Sequence, residues 1–320
     1  MSPADTVPVK TPGHGIAEAD HVKPIATPGQ LPVAGPLTAK DYKGTLPPVW
    51  CPGCGDFAVL AAMQKALADL KILPHDLAFV SGIGCSSRFP HFMNAYGFHA
   101  VHGRSLPVAV GLKLAMPEKT VIAVGGDGDG MAIGAGHFVH TARRNPKLVY
   151  VMMDNEIYGL TKGQASPTSE LGLKTKTTPF SNAERSADQP INPLALAIIS
   201  GATFVARAYS GKVKELNDLI KAAIAHEGYA FIQVISPCVT FHDIYEAAKA
   251  NQRQLETTHD KADKFAALHA AMEDHWVTGV FYEERRQTLN GAVAKQQAES
   301  AAKREAGLNG LAMKILATAK

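Results

Sequence analysis

Two groups of residues in this chain have types and spacings that can do chemistry. The first is Gly126-Asp127-Gly128-Asp129-Gly130, between an apolar run, Thr120–Val124, and a Gly/Ala-rich stretch, Met131–Arg144, expected to be helical. Glycines at the carboxyl end of a strand let backbone N–H groups approach a phosphate, and the helix N-terminus behind them adds a favourable dipole. Asp127 is out of place in such a cradle, because a carboxylate beside phosphates is repulsive unless a divalent cation stands between them. A second apolar run, Leu148–Met153, ends in Asp154-Asn155, which puts Asn155 28 positions after Asp127. That interval holds one helix and one strand. Parallel neighbours end side by side, so Asp127 and Asn155 are expected at one site. Mg²⁺ takes six oxygens at about 2.1 Å. Asp127, the Asn155 amide oxygen, the Ile157 carbonyl, two phosphate oxygens and a water would complete that shell.

The second group is the four cysteines. Cys51 and Cys54 form a CPGC pair, Cys85 ends Gly82-Ile83-Gly84-Cys85, and Cys238 stands in SPCVTF; the gaps are 2, 30 and 152 residues. By count, four thiolates suit a zinc ion and an iron–sulfur cluster equally well. Structural zinc sites usually draw on two close pairs. Here one pair and two singletons occupy separate loops at expected strand ends, a layout that favours a cluster adjoining the diphosphate site. Zinc, inert buried thiols and a CPGC dithiol redox motif are the alternatives, the last leaving Cys85 and Cys238 unexplained.

The elements that must position these residues follow from apolar periodicity and from breakers. Helices are expected at Asp56–Lys71 (ended by Leu73-Pro74), Leu106–Ala115 (stopped before Pro117), Pro193–Ser200 and Val213–His226. Strands are expected at Leu77–Ser81, Thr120–Val124, Leu148–Met153, Ala202–Ala208 and Ala230–Ile235. Strands that are continuous apolar runs separated by helices indicate a parallel sheet covered on both faces. The expected fold is therefore α/β, a doubly wound, mostly parallel sheet with ligands at the carboxyl ends of its strands. Residues 1–45, rich in Pro and Gly, are expected to be an N-terminal arm, with ordered structure from near Trp50. Residues 46–245 would form the cofactor domain, and 246–320, rich in Ala, Gln, Lys and Glu, a C-terminal helical extension. The Thr/Ser-rich stretch 159–192 is long for a simple connection and is expected to be functional.

Composition narrows the function classes. With 32 Lys+Arg against 29 Asp+Glu over 320 residues, the net charge of +3 argues against nucleic acid or an anionic membrane as the main partner. No apolar run approaches the roughly 20 residues that span a bilayer. Four cysteines in 320 residues exclude a disulfide-stapled scaffold. The opening MSPADTVPVKTPGHG lacks a signal-peptide layout, so a cytoplasmic protein is expected.

GDGDG after an apolar strand, with DNEIYGLTKGQ at this distance, is similar to the thiamine diphosphate motif. Trp50-Cys51-Pro52-Gly53-Cys54-Gly55, Ile83-Gly84-Cys85-Ser86, His102-Gly103-Arg104, Tyr158-Gly159-Leu160-Thr161 and Ser236-Pro237-Cys238 make the likeness more specific. They resemble the β subunits of 2-oxoacid:ferredoxin oxidoreductases, and most of all those of the 2-oxoglutarate enzymes, over about Leu46 to Asp243. The resemblance implies a thiamine diphosphate-binding fold and one 4Fe–4S cluster held by Cys51, Cys54, Cys85 and Cys238. It implies cofactor contacts at Ile83, Gly84, Cys85, Ser86, His102, Gly128, Asp129, Gly159 and Leu160. His102 would donate to a diphosphate oxygen, and Leu160 would hold the cofactor bent. Arg88, three positions after Cys85, would sit near the substrate, where a guanidinium grips a carboxylate with two hydrogen bonds. Its expected role is a contact with 2-oxoglutarate or coenzyme A; Arg104 and Lys113 are given no role.

The implied activity is reversible, CoA-dependent oxidative decarboxylation of 2-oxoglutarate to succinyl-CoA and CO₂, with electrons leaving through the cluster to a ferredoxin. Pyruvate or broad 2-oxoacid specificity is the nearest rival. A non-oxidative thiamine enzyme accounts for Asp127 and Asn155 but not for the cysteines, and a zinc-stapled interaction protein is the reading from another class. In the family, the Glu that activates the aminopyrimidine comes from a different domain. Only one diphosphate motif is found here, so an α subunit with the pyrimidine-side domain and that Glu is expected, in an (αβ)₂ assembly.

Overall fold

The longer apolar runs bounded by glycine, proline or polar turns become the central strands, and short polar or exposed segments add the rest. In the computed structural model, which describes residues 36–175 and 188–318, they are β1 (Leu77–Ser81), β2 (Tyr96–His99), β3 (Thr120–Gly126) and β4 (Leu148–Asp154). The two-residue strands β5 (Ile157–Tyr158) and β6 (Gln164–Ala165) form a separate hairpin. Then come β7 (Phe204–Tyr209), β8 (Tyr229–Ile235), β9 (Arg253–Gln254) and β10 (Val277–Glu283). The main sheet has the order β2-β1-β3-β4-β8-β7-β10-β9. Its first six strands are mutually parallel, and β10 pairs antiparallel with β7.

The helices are α1 (Asp56–Asp69), α2 (Ser105–Ala115), α3 (Ala135–Arg144), α4 (Pro193–Ser200), α5 (Val213–Ala225), α6 (Tyr245–Asn251), α7 (Lys264–Glu273) and α8 (Leu289–Thr318). Alternate strand residues reach opposite faces. Ile122, Val124, Val149, Val151 and Met153 pack with Val59, Met63 and Leu67 of α1 and Leu216 and Ile220 of α5. Val121, Ala123, Leu148, Tyr150 and Met152 pack with Leu106 of α2, Phe138 of α3, and Leu194 and Ile198 of α4. Both faces of the central strands are covered, which is why those strands read as unbroken apolar runs. This is the doubly wound, mostly parallel fold expected from the sequence. Among the described residues no helix is long and apolar enough to cross a membrane.

Three departures have physical causes. Order begins before Trp50: residues 1–35 of the expected arm lie outside the described residues, but Ala39–Tyr42 is a 3-10 turn and Tyr42 is fully buried. Its hydroxyl lies 3.0 Å from the Leu67 carbonyl and 2.6 Å from that of Ile72. One buried aromatic anchors a stretch whose average composition reads as a tail. The C-terminal region is not helical throughout, because Val277–Glu283 is β-branched and aromatic and extends the main sheet as β10. The helix expected at Met131–Arg144 is preceded by five residues of π-helix, Asp129–Ile133, with Ala132 at φ −89°, ψ −106°, and α3 starts only at Ala135. Such π segments cluster at functional sites.

Candidate functional site

The register brings the strand ends together. Ser81 pairs with His99 on one side and Val124 on the other, Gly126 with Met153, and Asp154 with Ile235. The loops after β1, β2, β3, β4 and β8 therefore open along one edge. β2 and β3 flank β1 on opposite sides, so that edge includes the crevice where ligands of open α/β sheets bind.

An open cavity lies there. Ile83, Gly84, Cys85 and Ser86 line it from the β1 loop, His102 from the β2 loop, and Asp127, Gly128 and Asp129 from the β3 loop. Asn155, Ile157, Tyr158, Gly159 and Leu160 complete the wall beyond β4. Every residue expected to meet the diphosphate cofactor or its cation is thus gathered on one cavity. Of the cysteines, only Cys85 is on its wall, and Arg88 is exposed just outside it.

Asp127 is 2% exposed. Burial, and next the charge of Asp154, push its carboxyl well above the usual range. Asp154, 3% exposed, is pushed up to about 6 by burial, then by Glu156. Thr168 Oγ1 lies 2.9 Å from Asp127 Oδ2 and 2.9 Å from Asp154 Oδ1. A hydroxyl has one proton to donate, so it satisfies one carboxylate at a time. Burial and mutual repulsion make it costly for both carboxylates to be ionised together, a cost that a divalent cation with oxygen ligands would relieve. The Asn155 side-chain oxygen, accepting from Ile157 N at 3.1 Å, and the Ile157 carbonyl add neutral oxygens beside it.

Gly128 has no room for a side chain: a Cβ there would stand 2.3 Å from the Tyr158 ring, whose hydroxyl donates to the Gly128 carbonyl at 3.2 Å. Asp129 turns back toward the preceding loops. Its Oδ1 accepts from Ile83 N and Gly103 N, both at 2.8 Å, and lies 3.1 Å from His102 Nδ1. Oδ2 has no hydrogen-bond partner. Much of Asp129 is thus used to fix the β1 and β2 loops, while His102 Nδ1, near its Oδ1, has no hydrogen-bond partner. Leu160 is half exposed at the cavity wall.

The cysteine loops converge behind Cys85. A Cβ at Gly159 would meet Cys238 Sγ at 3.6 Å, Asn155 Nδ2 at 3.8 Å and Cys85 Sγ at 4.0 Å, so Gly159 touches both residue groups at once. Burial raises the Cys85 thiol to about 11, with Asp56, Cys238 and Cys51 adding to the shift, and raises Cys54 further. Among the described residues no three His, Cys, Asp or Glu side chains are close enough to share one ion. Trp50 Nε1 donates to the Cys85 carbonyl at 2.7 Å and ties the segment entering the CPGC turn to the β1 loop.

Several residues that shape this region escaped the sequence reading. Asp56, 1% exposed, accepts from Ser236 Oγ at 2.7 Å and Ser86 Oγ at 3.0 Å, and burial lifts it to about 6. Gln233 Nε2 donates to Asp154 Oδ2 at 2.7 Å, and its Oε1 accepts from Arg207 Nε at 2.9 Å. Arg207 is 1% exposed, and burial lowers it to about 10. A charged residue inside the apolar run FVARAY was the signal available. Thr168 lies in the polar stretch expected to be functional, of which 176–187 falls outside the described residues.

Residues 82–234 match the family described as thiamine pyrophosphate enzyme, C-terminal TPP binding domain, and 238–298 match the C-terminal family of the pyruvate ferredoxin oxidoreductase beta chain. The chain is 49% identical over 250 residues to 2-oxoacid:ferredoxin oxidoreductase 1, subunit beta, of Aeropyrum pernix, covering 73% of this chain and 77% of that one. It is 41% identical over 236 residues to 2-oxoglutarate oxidoreductase subunit KorB of Mycobacterium tuberculosis, covering 72% of this chain and 62% of that one. A solved 2-oxoglutarate:ferredoxin oxidoreductase from Magnetococcus marinus, with 2-oxoglutarate, coenzyme A and succinyl-CoA bound, superposes with a TM-score of 0.79 at 42% identity. That match covers 82% of this chain and 91% of that one.

Proposed function

The chain belongs to the β subunits of the 2-oxoacid:ferredoxin oxidoreductases, and on that premise we propose that it acts on 2-oxoglutarate. With an α subunit it forms succinyl-CoA and CO₂ from 2-oxoglutarate and coenzyme A, and delivers the electrons to a ferredoxin through one 4Fe–4S cluster. The observation that carries this reading is the cavity on which the buried Asp127 carboxylate and Cys85 stand together.

Asp127, the Asn155 side-chain oxygen and the Ile157 carbonyl would hold Mg²⁺, which would offset the repulsion between Asp127 and a bound diphosphate. Bound there, thiamine diphosphate supplies a nucleophile for the keto carbon and a sink for the electrons left as CO₂ departs. The glycine loops bring backbone N–H groups to the diphosphate, and Tyr158 keeps the Gly128 loop in place. His102, on the cavity wall, would donate to the diphosphate, and Leu160 would give the cofactor an apolar support.

Cys51, Cys54, Cys85 and Cys238 hold the cluster. What supports a cluster over zinc is that one close pair and two singletons from separate loops supply the thiols, where structural zinc sites usually draw on two close pairs. Among the described residues, the only carboxylates lining the cavity are Asp127 and Asp129. One is assigned to the cation and the other fixes loops, so the activating Glu comes from the α subunit. An (αβ)₂ assembly in the cytoplasm fits this division. Arg88, exposed beside Cys85, grips a carboxylate of the substrate or a phosphate of coenzyme A.

The 49% identity to a relative named for 2-oxoacids in general favours broad specificity as the second reading. The test is CoA-dependent acceptor reduction by the purified αβ complex with 2-oxoglutarate and with pyruvate, alongside iron and sulfide analysis. A kcat/KM at least about tenfold higher for 2-oxoglutarate supports the proposal, and equal values establish the broad reading. One zinc and no iron per chain would reject the cluster. Arg88→Met is expected to raise KM for 2-oxoglutarate more than for pyruvate; equal effects would remove Arg88 from discrimination.

A further inference from the structure

We propose that Asp56 is a positioning residue for the metal–sulfur group, joining through one carboxylate the three loops that carry Cys54, Cys85 and Cys238. The inference rests on the cluster reading above and concerns a residue that does not line the cofactor cavity. Asp56 is the first residue of α1, two positions after Cys54. Its two oxygens serve different loops. Oδ2 accepts from the hydroxyl of Ser86, the residue after Cys85, and Oδ1 from that of Ser236, two before Cys238. These partners lie 30 and 180 positions away in sequence.

A backbone bond from Gly55 N to the Pro237 carbonyl, 3.2 Å, reinforces the second link, and Cys54 N to the Cys51 carbonyl, 3.0 Å, brings Cys51 into the same unit. Gly55 lets the loops close: a Cβ there would stand 2.6 Å from Ser236 Oγ and 2.8 Å from Ser210 Oγ.

A carboxylate meets the geometric demand because it offers two acceptor oxygens, while an amide of the same shape offers one. Burying it in an apolar setting is unfavourable unless both oxygens are satisfied. The first turn of α1 supports it further, since the helix dipole favours an anion there. Residues behind metal ligands typically change metal affinity by about 10–100-fold when mutated. Charge and hydrogen bonding around an iron–sulfur cluster also move its potential.

The experiment compares wild type and Asp56→Asn as intact αβ complexes, following iron loss to a chelator, the cluster's midpoint potential, and thiamine diphosphate affinity. The isosteric variant is expected to lose iron at least about tenfold faster and to have a raised midpoint potential, with thiamine diphosphate affinity within threefold of wild type. Iron loss and potential equal to wild type would overturn the proposal. If Asp56→Asn fails to fold, Ser86→Ala and Ser236→Ala decide: each should hasten iron loss, and wild-type rates in both would overturn it. A wild-type complex without iron would instead overturn the cluster reading, so the two failures are distinct.

Discussion

The two ends of the central sheet both hold buried polar side chains and treat them differently. At the amino end, Asn145 sits at φ 52° and its side chain is fully engaged. Its Oδ1 accepts from Thr203 Oγ1 and Tyr229 N, both at 2.7 Å, and its Nδ2 faces the Arg286 and Gln287 carbonyls at 3.4 and 3.3 Å. Lys113, 4% exposed, donates to the carbonyls of Pro117 and Lys119 at 2.7 and 2.6 Å. At the carboxyl end, Asp127 and Asp154 share one hydroxyl, and Asp129 Oδ2 and Ser87 Oγ have no hydrogen-bond partner. A buried polar group whose partners are complete is architecture. An unpartnered one on the wall of a cavity, as Asp129 is, can meet a ligand, whereas the equally unpartnered Tyr229 hydroxyl lies in the apolar core.

The sharpest way to break this comparison is to exchange the two behaviours by mutation. Asp127→Asn is expected to weaken Mg²⁺-dependent thiamine diphosphate retention by more than about 100-fold. It also removes a charge facing Asp154, so the metal-free protein should melt no lower than wild type. Calorimetric titration and a thermal melt read both, and wild-type retention would remove Asp127 from the metal site. Asn145→Ala should do the reverse. Loss of its hydrogen bonds, with alanine forced to positive φ, should cost about 2–4 kcal/mol in urea unfolding while cofactor affinity stays within threefold. A parallel fall in affinity would mean that the two ends are coupled.

A smaller effect is expected one step back from the cation. Thr168→Val should raise the Mg²⁺ needed for half-saturation about tenfold, and an unchanged requirement would make Thr168 a spectator. The smallest effect is a difference in pH slope. Burial lowers His226, so its contribution is present above the ordinary histidine value of 6.5 and is lost as pH falls below it. Burial raises Asp154 and Asp56 to about 6, so in metal-free protein their contribution is present below 3.8 and is lost as pH rises through 6. His226→Gln should therefore gain more stability than wild type when denaturation midpoints are compared between pH 6.5 and 5. Parallel curves would show that His226 titrates freely.

Much of the site was legible because its parts are local. GDGDG and DN each end an apolar run, and the helix and strand between them force the two ends side by side. The parallel sheet was legible for the same reason. The polar framework was not. Asp56 read as the start of a helix, and nothing near it in sequence reveals that Ser86 and Ser236 converge on it. Arg207 was visible as a charge in an apolar strand, but its partners, Gln233 on the neighbouring strand and the carbonyls of Asp274 and Val277, come from later segments. Composition also masked single anchors: Tyr42 inside a Pro/Gly-rich stretch, and the strand Val277–Glu283 inside an Ala-rich one.

By itself, then, the sequence determined which backbone segments are strands and helices, which loops are glycine cradles, and which side chains have ligand chemistry. All of these are set by neighbours along the chain. Only the tertiary structure decided that Asp127 shares its hydroxyl with a second carboxylate, that Asp129 turns back to hold the β1 and β2 loops, and that one buried aspartate gathers three of the four cysteines. Those outcomes depend on desolvation and on hydrogen bonds between residues up to 180 positions apart. Neither exists until the sheet has brought its strand ends together.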